Sequence, residues 1–179
     1  MPRLEVVEPD QAADDVKEIY NGLESKMGKV INIFKGMGNS SAALNAYLSM
    51  SGALKQGQLL PDDREVIYLA VSEMNGCEYC VAAHTMISTK SGMSEEQIMA
   101  ARRWTAEDPK HQALLTFVKR VIATKGHVAD DELQAVKDAG YTDGQIAETI
   151  AFIGLATYSN LFNHVFATPL DFPEAPKLS

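Results

Sequence analysis

Between Thr149 and Leu170 the chain carries no acidic or basic side chain apart from His164. A run of that length can cross a bilayer. Tyr158, Ser159, Asn160, Asn163 and His164 crowd its second half, however, and each is costly to desolvate in lipid. The stretch therefore reads as a helix apolar nearly all round, buried in a large core or at a subunit interface. No segment of the sequence shows the strict alternation of a half-buried strand, so the expected fold class is all-α, a helical bundle.

The other helices follow from periodicity and punctuation. Asp10 to Ser25 carries Val16, Ile19, Tyr20 and Leu23 as an apolar stripe. Met27 to Asn39, with three glycines and Asn32, reads as a loop whose Val30, Ile31, Ile33 and Phe34 dip into the core or a pocket. Ser40 or Ser41 caps a helix running to about Gln56, and Pro61-Asp62-Asp63 starts the next, stopped by Asn75-Gly76. A helix from near Cys77 to about Lys90 follows. Ser94-Glu95-Glu96-Gln97 opens another as a capping box. Asp108 to Thr124, Asp130 to Asp138 and Thr142 to Phe166 complete the set. Residues 168–179, with Pro169, Pro173 and Pro176, form an extended tail. A faint echo between residues 92–98 and 140–146 is generic helix punctuation rather than a repeat.

Length and charge narrow the class. The 179 residues suit one domain, 1–179, able to bury a core without disulfide staples or a structural metal. With 16 basic and 24 acidic residues the formal charge is −8, which argues against nucleic-acid or anionic-membrane surfaces. No secretory h-region opens the sequence, so the cytoplasm is the default address.

The only two cysteines stand as Cys77-Glu78-Tyr79-Cys80. Positions three apart share a helix face, and Asn75-Gly76 just before them places both thiols at or near the N-terminus of a core helix. There the unpaired N–H groups and the dipole favour thiolate over thiol, as dithiol–disulfide chemistry requires. His84 lies one turn beyond Cys80 on the same face and can take or return a proton. If the two helices pack antiparallel across Asn75-Gly76, Glu65 comes level with His84 or Cys80, completing a carboxylate–imidazole–thiol relay. The dipole favours Cys77 as the stronger acid, and the histidine spacing favours Cys80; the second argument is preferred. Two cysteines and one histidine leave a zinc site without its fourth ligand, and no flavin or nicotinamide signature is present. His164 with Asn160 and Asn163 either lines a pocket or hydrogen-bonds within an interface, and His111 and His127 read as surface or cap positions.

This segment resembles the alkylhydroperoxidase D-like, or carboxymuconolactone decarboxylase-like, family. The resemblance is carried by Glu65, Val71-Ser72, Asn75-Gly76-Cys77, Cys80 and His84, within residues 62–91. It implies an all-α antioxidant protein forming homo-oligomers, commonly trimers or hexamers. It also implies that Cys80 attacks a hydroperoxide, Cys77 resolves the sulfenic acid as a disulfide, and Glu65 and His84 relay protons. The family's best-known member is reduced through a dihydrolipoamide-bearing partner and passes electrons to a peroxiredoxin. Tyr79 departs from that member, which has a histidine between its cysteines. The γ-carboxymuconolactone decarboxylases proper lack the cysteine pair, so its presence argues against that activity. The expected function is thus a thiol-dependent peroxidase or dithiol–disulfide oxidoreductase, reset by an external dithiol or lipoyl-type reductant. The alternatives are a non-catalytic redox sensor or adaptor, and a lyase or isomerase acting on a small cyclic acid through His84 and Glu65.

Overall fold

A computed structural model describes residues 1–178. Among them are nine helices and no strand: α1 Asp14–Met27, α2 Asn32–Met37, α3 Ser41–Leu54, α4 Pro61–Met74, α5 Glu78–Ser91, α6 Glu95–Arg102, α7 Pro109–Thr124, α8 Asp130–Asp138 and α9 Asp143–Phe166. The all-α expectation holds. The tail from residue 168 to 178 contains no regular element, and Ser179 lies outside the described residues.

Helix α4 is the centre of the molecule. It packs against α5, α6, α7 and α9, and every residue from Val66 to Ser72 is buried. Proline at its first turn and the Asp63 carboxylate accepting from Leu60 N–H at 3.0 Å start it. Asp63 is itself held by the Tyr141 hydroxyl at 2.6 Å and the His111 ring at 3.3 Å. Although burial pushes Asp63 up, these donors outweigh it and hold the carboxyl below its usual range. His111, expected at a surface or cap position, thus serves as a half-buried anchor for the start of α4.

The expected turn between α4 and α5 is a Schellman stop. Gly76 takes φ 66°, its N–H reaching Glu73 O at 3.0 Å, and Cys77 N–H reaches Ser72 O at 2.9 Å. Cys77 therefore ends one helix and caps the next, which fixes where its thiol can point.

One expectation needs correction. The stretch read as a loop, Met27 to Asn39, contains α2. Two of its three glycines serve close approach: a Cβ on Gly36 would fall 2.6 Å from the Phe166 ring, and one on Gly38 would collide with the Tyr20 hydroxyl. Helix α9, read as buried in a core or at a subunit interface, is not enclosed on all sides within one protomer. It buries Phe152, Leu155, Ala156, Ser159, Asn160, Asn163 and Phe166, yet exposes Ile150, Tyr158, Leu161 and Val165. No helix among the described residues is long and apolar enough to cross a membrane.

Apolar burial divides into two clusters. The larger joins α4, α6, α7, α8 and α9, with Trp104 and Ala106 packed against it. The smaller gathers α1, α2 and the start of α3 around Cys77, Tyr79 and Cys80. The cysteine pair therefore sits where the smaller cluster meets the α4–α5 hairpin.

Candidate active site

The four residues singled out by spacing come together around the α4–α5 hairpin. Cys77 is the N-cap of α5, and its sulfur accepts from Cys80 N–H at 3.4 Å. Both cysteines are reduced and buried. The antiparallel packing brings Glu65 near the start of α4 level with the middle of α5. There its Oε2 lies 2.8 Å from His84 Nδ1 and accepts from the Ser88 hydroxyl at 3.3 Å. The imidazole also stacks on Tyr68, with ring centroids 4.0 Å apart and planes 14° from parallel. Two faces of the histidine are thus fixed, leaving Nε2 as the ring nitrogen not held by Glu65.

Electrostatics separate the two thiols. Cys80 is held below the ordinary thiol value, first by a hydrogen bond from Cys77. Burial opposes this, and the positive charge of His84 with hydrogen bonds from Ser159 and Asn160 supports it. Cys77 is pushed upward, chiefly because it donates to Cys80, and then by burial. The side-chain environment thus outweighs the dipole argument for Cys77. For His84, burial favours the neutral ring, but the charge and hydrogen bond of Glu65 outweigh it and raise its affinity for a proton. Both shifts run in the direction of a thiolate on Cys80 and an imidazolium at His84.

Helix α9 supplies groups that the spacing did not point to. Ser159 Oγ lies 3.7 Å from Cys80 Sγ, and Asn163 Nδ2 lies 3.1 Å from it. Asn160 also bridges the hairpin, donating to Ser72 Oγ at 3.1 Å and accepting from Asn75 Nδ2 at 2.9 Å. His164 is exposed, its Nε2 3.3 Å from Gly76 O. The sequence signal for this face was the run of small and amide side chains on one side of an otherwise apolar helix.

The Tyr79 hydroxyl is engaged by partners other than the sulfurs. It donates to Asp171 Oδ2 at 2.6 Å and accepts from Ile33 N–H at 3.4 Å. Asp171 also accepts from Asn32 N–H at 2.7 Å, and Phe172 packs edge-on to the Tyr79 ring. The residue between the cysteines therefore ties the tail and α2 to the start of α5. A cleft of about 580 Å³ lies beneath the tail, lined in part by Glu73, Gly76, Arg102, Leu170 and Pro176; neither cysteine lines it. No group of three or more potential metal ligands occurs among the described residues.

Comparison with known proteins shows what this chain is similar to. Residues 41–120 match the model of the carboxymuconolactone decarboxylase family. The alkyl hydroperoxide reductase AhpD of Solibacter usitatus (strain Ellin6076) is 44% identical over 61 residues, which is 34% of this chain and 34% of that protein. The match thus spans about a third of that relative's length. A solved structure from Ralstonia eutropha JMP134, described as an alkylhydroperoxidase AhpD core of an uncharacterized peroxidase-related protein, superposes with TM-score 0.83 at 25% identity. That superposition covers 98% of both chains. The debrominase Bmp8 shares the fold at 19% identity, with TM-score 0.71 over 89% of this chain and 87% of that one. The chain is therefore similar to alkylhydroperoxidase D-like and carboxymuconolactone decarboxylase-like proteins, the family model matching residues 41–120.

Proposed function

We propose that the protein is a thiol-dependent peroxidase, a dithiol–disulfide oxidoreductase cycling through Cys77 and Cys80. The observation that carries this reading is the arrangement of the pair: Cys77 caps α5 and accepts from Cys80 N–H at 3.4 Å, Asn163 Nδ2 lies 3.1 Å from Cys80 Sγ, and His84, one turn on, is held by Glu65 at 2.8 Å, an environment that favours the thiolate at Cys80 rather than Cys77. The Cys80 thiolate attacks the O–O bond of a hydroperoxide and becomes a sulfenic acid. His84 delivers the proton that the departing oxygen needs, and Glu65 holds the imidazolium ready for it. Cys77 then attacks the sulfenic sulfur, a disulfide forms and water leaves. An external dithiol, of the lipoyl type or on a partner protein, returns both thiols and is itself oxidised to a disulfide.

The Glu65–His84 pair would also serve a lyase or isomerase acting on a small cyclic acid, because it is complete without either sulfur. Two measurements separate these readings. Free thiols are counted on reduced protein before and after one equivalent of hydroperoxide, with excess oxidant removed. Loss of both thiols, reversed by dihydrolipoamide, is the expected result; two untouched thiols overturn the peroxidase reading. Activity on a cyclic acid that survives the double Cys77→Ser, Cys80→Ser change would establish the lyase. A single oxidation without turnover under excess reductant would leave a sensor.

A further inference from the structure

Asn163 touches both thiols. Its Nδ2 lies 3.1 Å from Cys80 Sγ and 3.7 Å from Cys77 Sγ, and the residue is buried, 4% exposed. Which end of the amide faces the sulfurs is decided on its other side. Thr168 Oγ1 donates to Asn163 Oδ1 at 2.6 Å, and Thr168 N–H reaches the Asn163 carbonyl at 3.2 Å. That return contact exists because Ala167 ends α9 at φ 55°, in the left-handed region, turning the chain back over the last turn of the helix. With its oxygen anchored on a hydroxyl, the amide presents only NH₂ to the sulfurs. An NH₂ group donates and cannot accept, so it favours the ionised form of whichever sulfur it reaches. Its contact with Cys77 also draws that thiol downward, but it reaches Cys80 more closely, at 3.1 Å against 3.7 Å.

We propose that Asn163, oriented by Thr168, donates the hydrogen bond that holds Cys80 as the attacking thiolate and selects it over Cys77. The inference rests on the thiol chemistry proposed above and adds the α9 side of it. Asn163 contacts the reacting sulfur directly, and Thr168 is a positioning residue. The titratable groups facing Cys80 are Cys77, Tyr79 and His84 from α5, Tyr47 from α3 and Tyr68 from α4, with Glu65 behind His84. The tyrosines stay protonated, since burial and neighbouring negative charge push all three upward. From α9 the sulfur meets neutral groups, Ser159, Asn160 and Asn163.

The test is the pH dependence of alkylation of each cysteine in the reduced full-length protein, with iodoacetamide as probe and peptide mass spectrometry to separate Cys77 from Cys80. In the unaltered chain Cys80 reacts first, with a midpoint below the ordinary thiol value of about 8.5. Asn163→Leu moves that midpoint up by about one pH unit, roughly a tenfold loss of thiolate at neutral pH. Thr168→Val moves it in the same direction by less, and Thr168→Ser, which keeps the hydroxyl, restores it. A folded Asn163→Leu protein that titrates like the unaltered chain overturns the proposal. Should Asn163→Leu fail to fold, equal Cys80 midpoints for Thr168→Val and Thr168→Ser overturn it instead. This readout is independent of turnover. A low Cys80 midpoint without peroxide consumption sinks the peroxidase reading and leaves Asn163 in its role. Peroxide turnover with midpoints that ignore these substitutions sinks only the role of Asn163.

Discussion

The Glu65 carboxylate and the His84 ring, 2.8 Å apart and each less than one-sixth exposed, make the charge state of the site a property of folding as well as of catalysis. His84 binds its proton more tightly in the folded protein than in the unfolded chain. The pair therefore contributes its full stability below the unfolded imidazole value of about 6.5, and that contribution fades as pH rises through the higher folded value. Glu65→Gln keeps an acceptor for Nδ1 but removes the charge. It should cost about 1 kcal/mol below pH ~6.5, the difference between a charged and a neutral hydrogen bond, and less at higher pH. Urea unfolding of both proteins across pH 5 to 9, roughly the range around that value, checks this; a cost that grows with pH would contradict it. Glu65, Cys77, Cys80 and His84 were all legible because helical spacing alone puts them on facing stripes. In the sequence Asn163 reads only as lining a pocket or an interface, and its contact with Cys80, like that of Ser159, was not legible, because these contacts arise from α9 crossing α5, between residues some eighty positions apart. No local period records such a crossing.

At the scale of elements, most helix boundaries could be read from caps and glycine stops, since Ser40, Ser94 and Thr142 accept from the first-turn N–H groups as expected. Helix α2 could not. Its glycines are dictated by the Phe166 ring and the Tyr20 hydroxyl pressed against them, partners invisible to a local reading. The tail is the other element set by distant contacts. Tyr79 binds Asp171, Asp171 also takes Asn32 N–H, and Arg102 donates to Pro176 O at 2.6 Å. Tyr79→Phe removes a hydrogen bond to a carboxylate and leaves Ile33 N–H without its acceptor. The expected cost is about 1.5–3 kcal/mol. Limited proteolysis should cleave within residues 168–178 faster in the variant, while the alkylation midpoint of Cys80 stays where it was. A shifted midpoint would mean that the tyrosine acts on the thiols after all.

At the scale of the whole molecule, α9 leaves an apolar face uncovered among the described residues. Ile150, Tyr158, Leu161 and Val165 of α9 lie exposed, with Met50 of α3 also exposed and packed near Gly154. That stripe carries no charge, and we propose that copies of this chain associate through it, as the uncharged run from Thr149 to Leu170 led us to expect. Leu161→Glu with Val165→Glu should lower the mass measured by sedimentation equilibrium without unfolding the protomer. An unchanged mass would place any assembly elsewhere. The two apolar clusters have an optical consequence as well. The single tryptophan, Trp104, packs on the larger cluster, under Lys119 and away from the smaller one that holds both sulfurs. Indole emission therefore reports on one half of the interior only. Oxidising the thiols should leave its colour and intensity untouched, so any blue or red shift during a melt dates the loss of the larger half by itself.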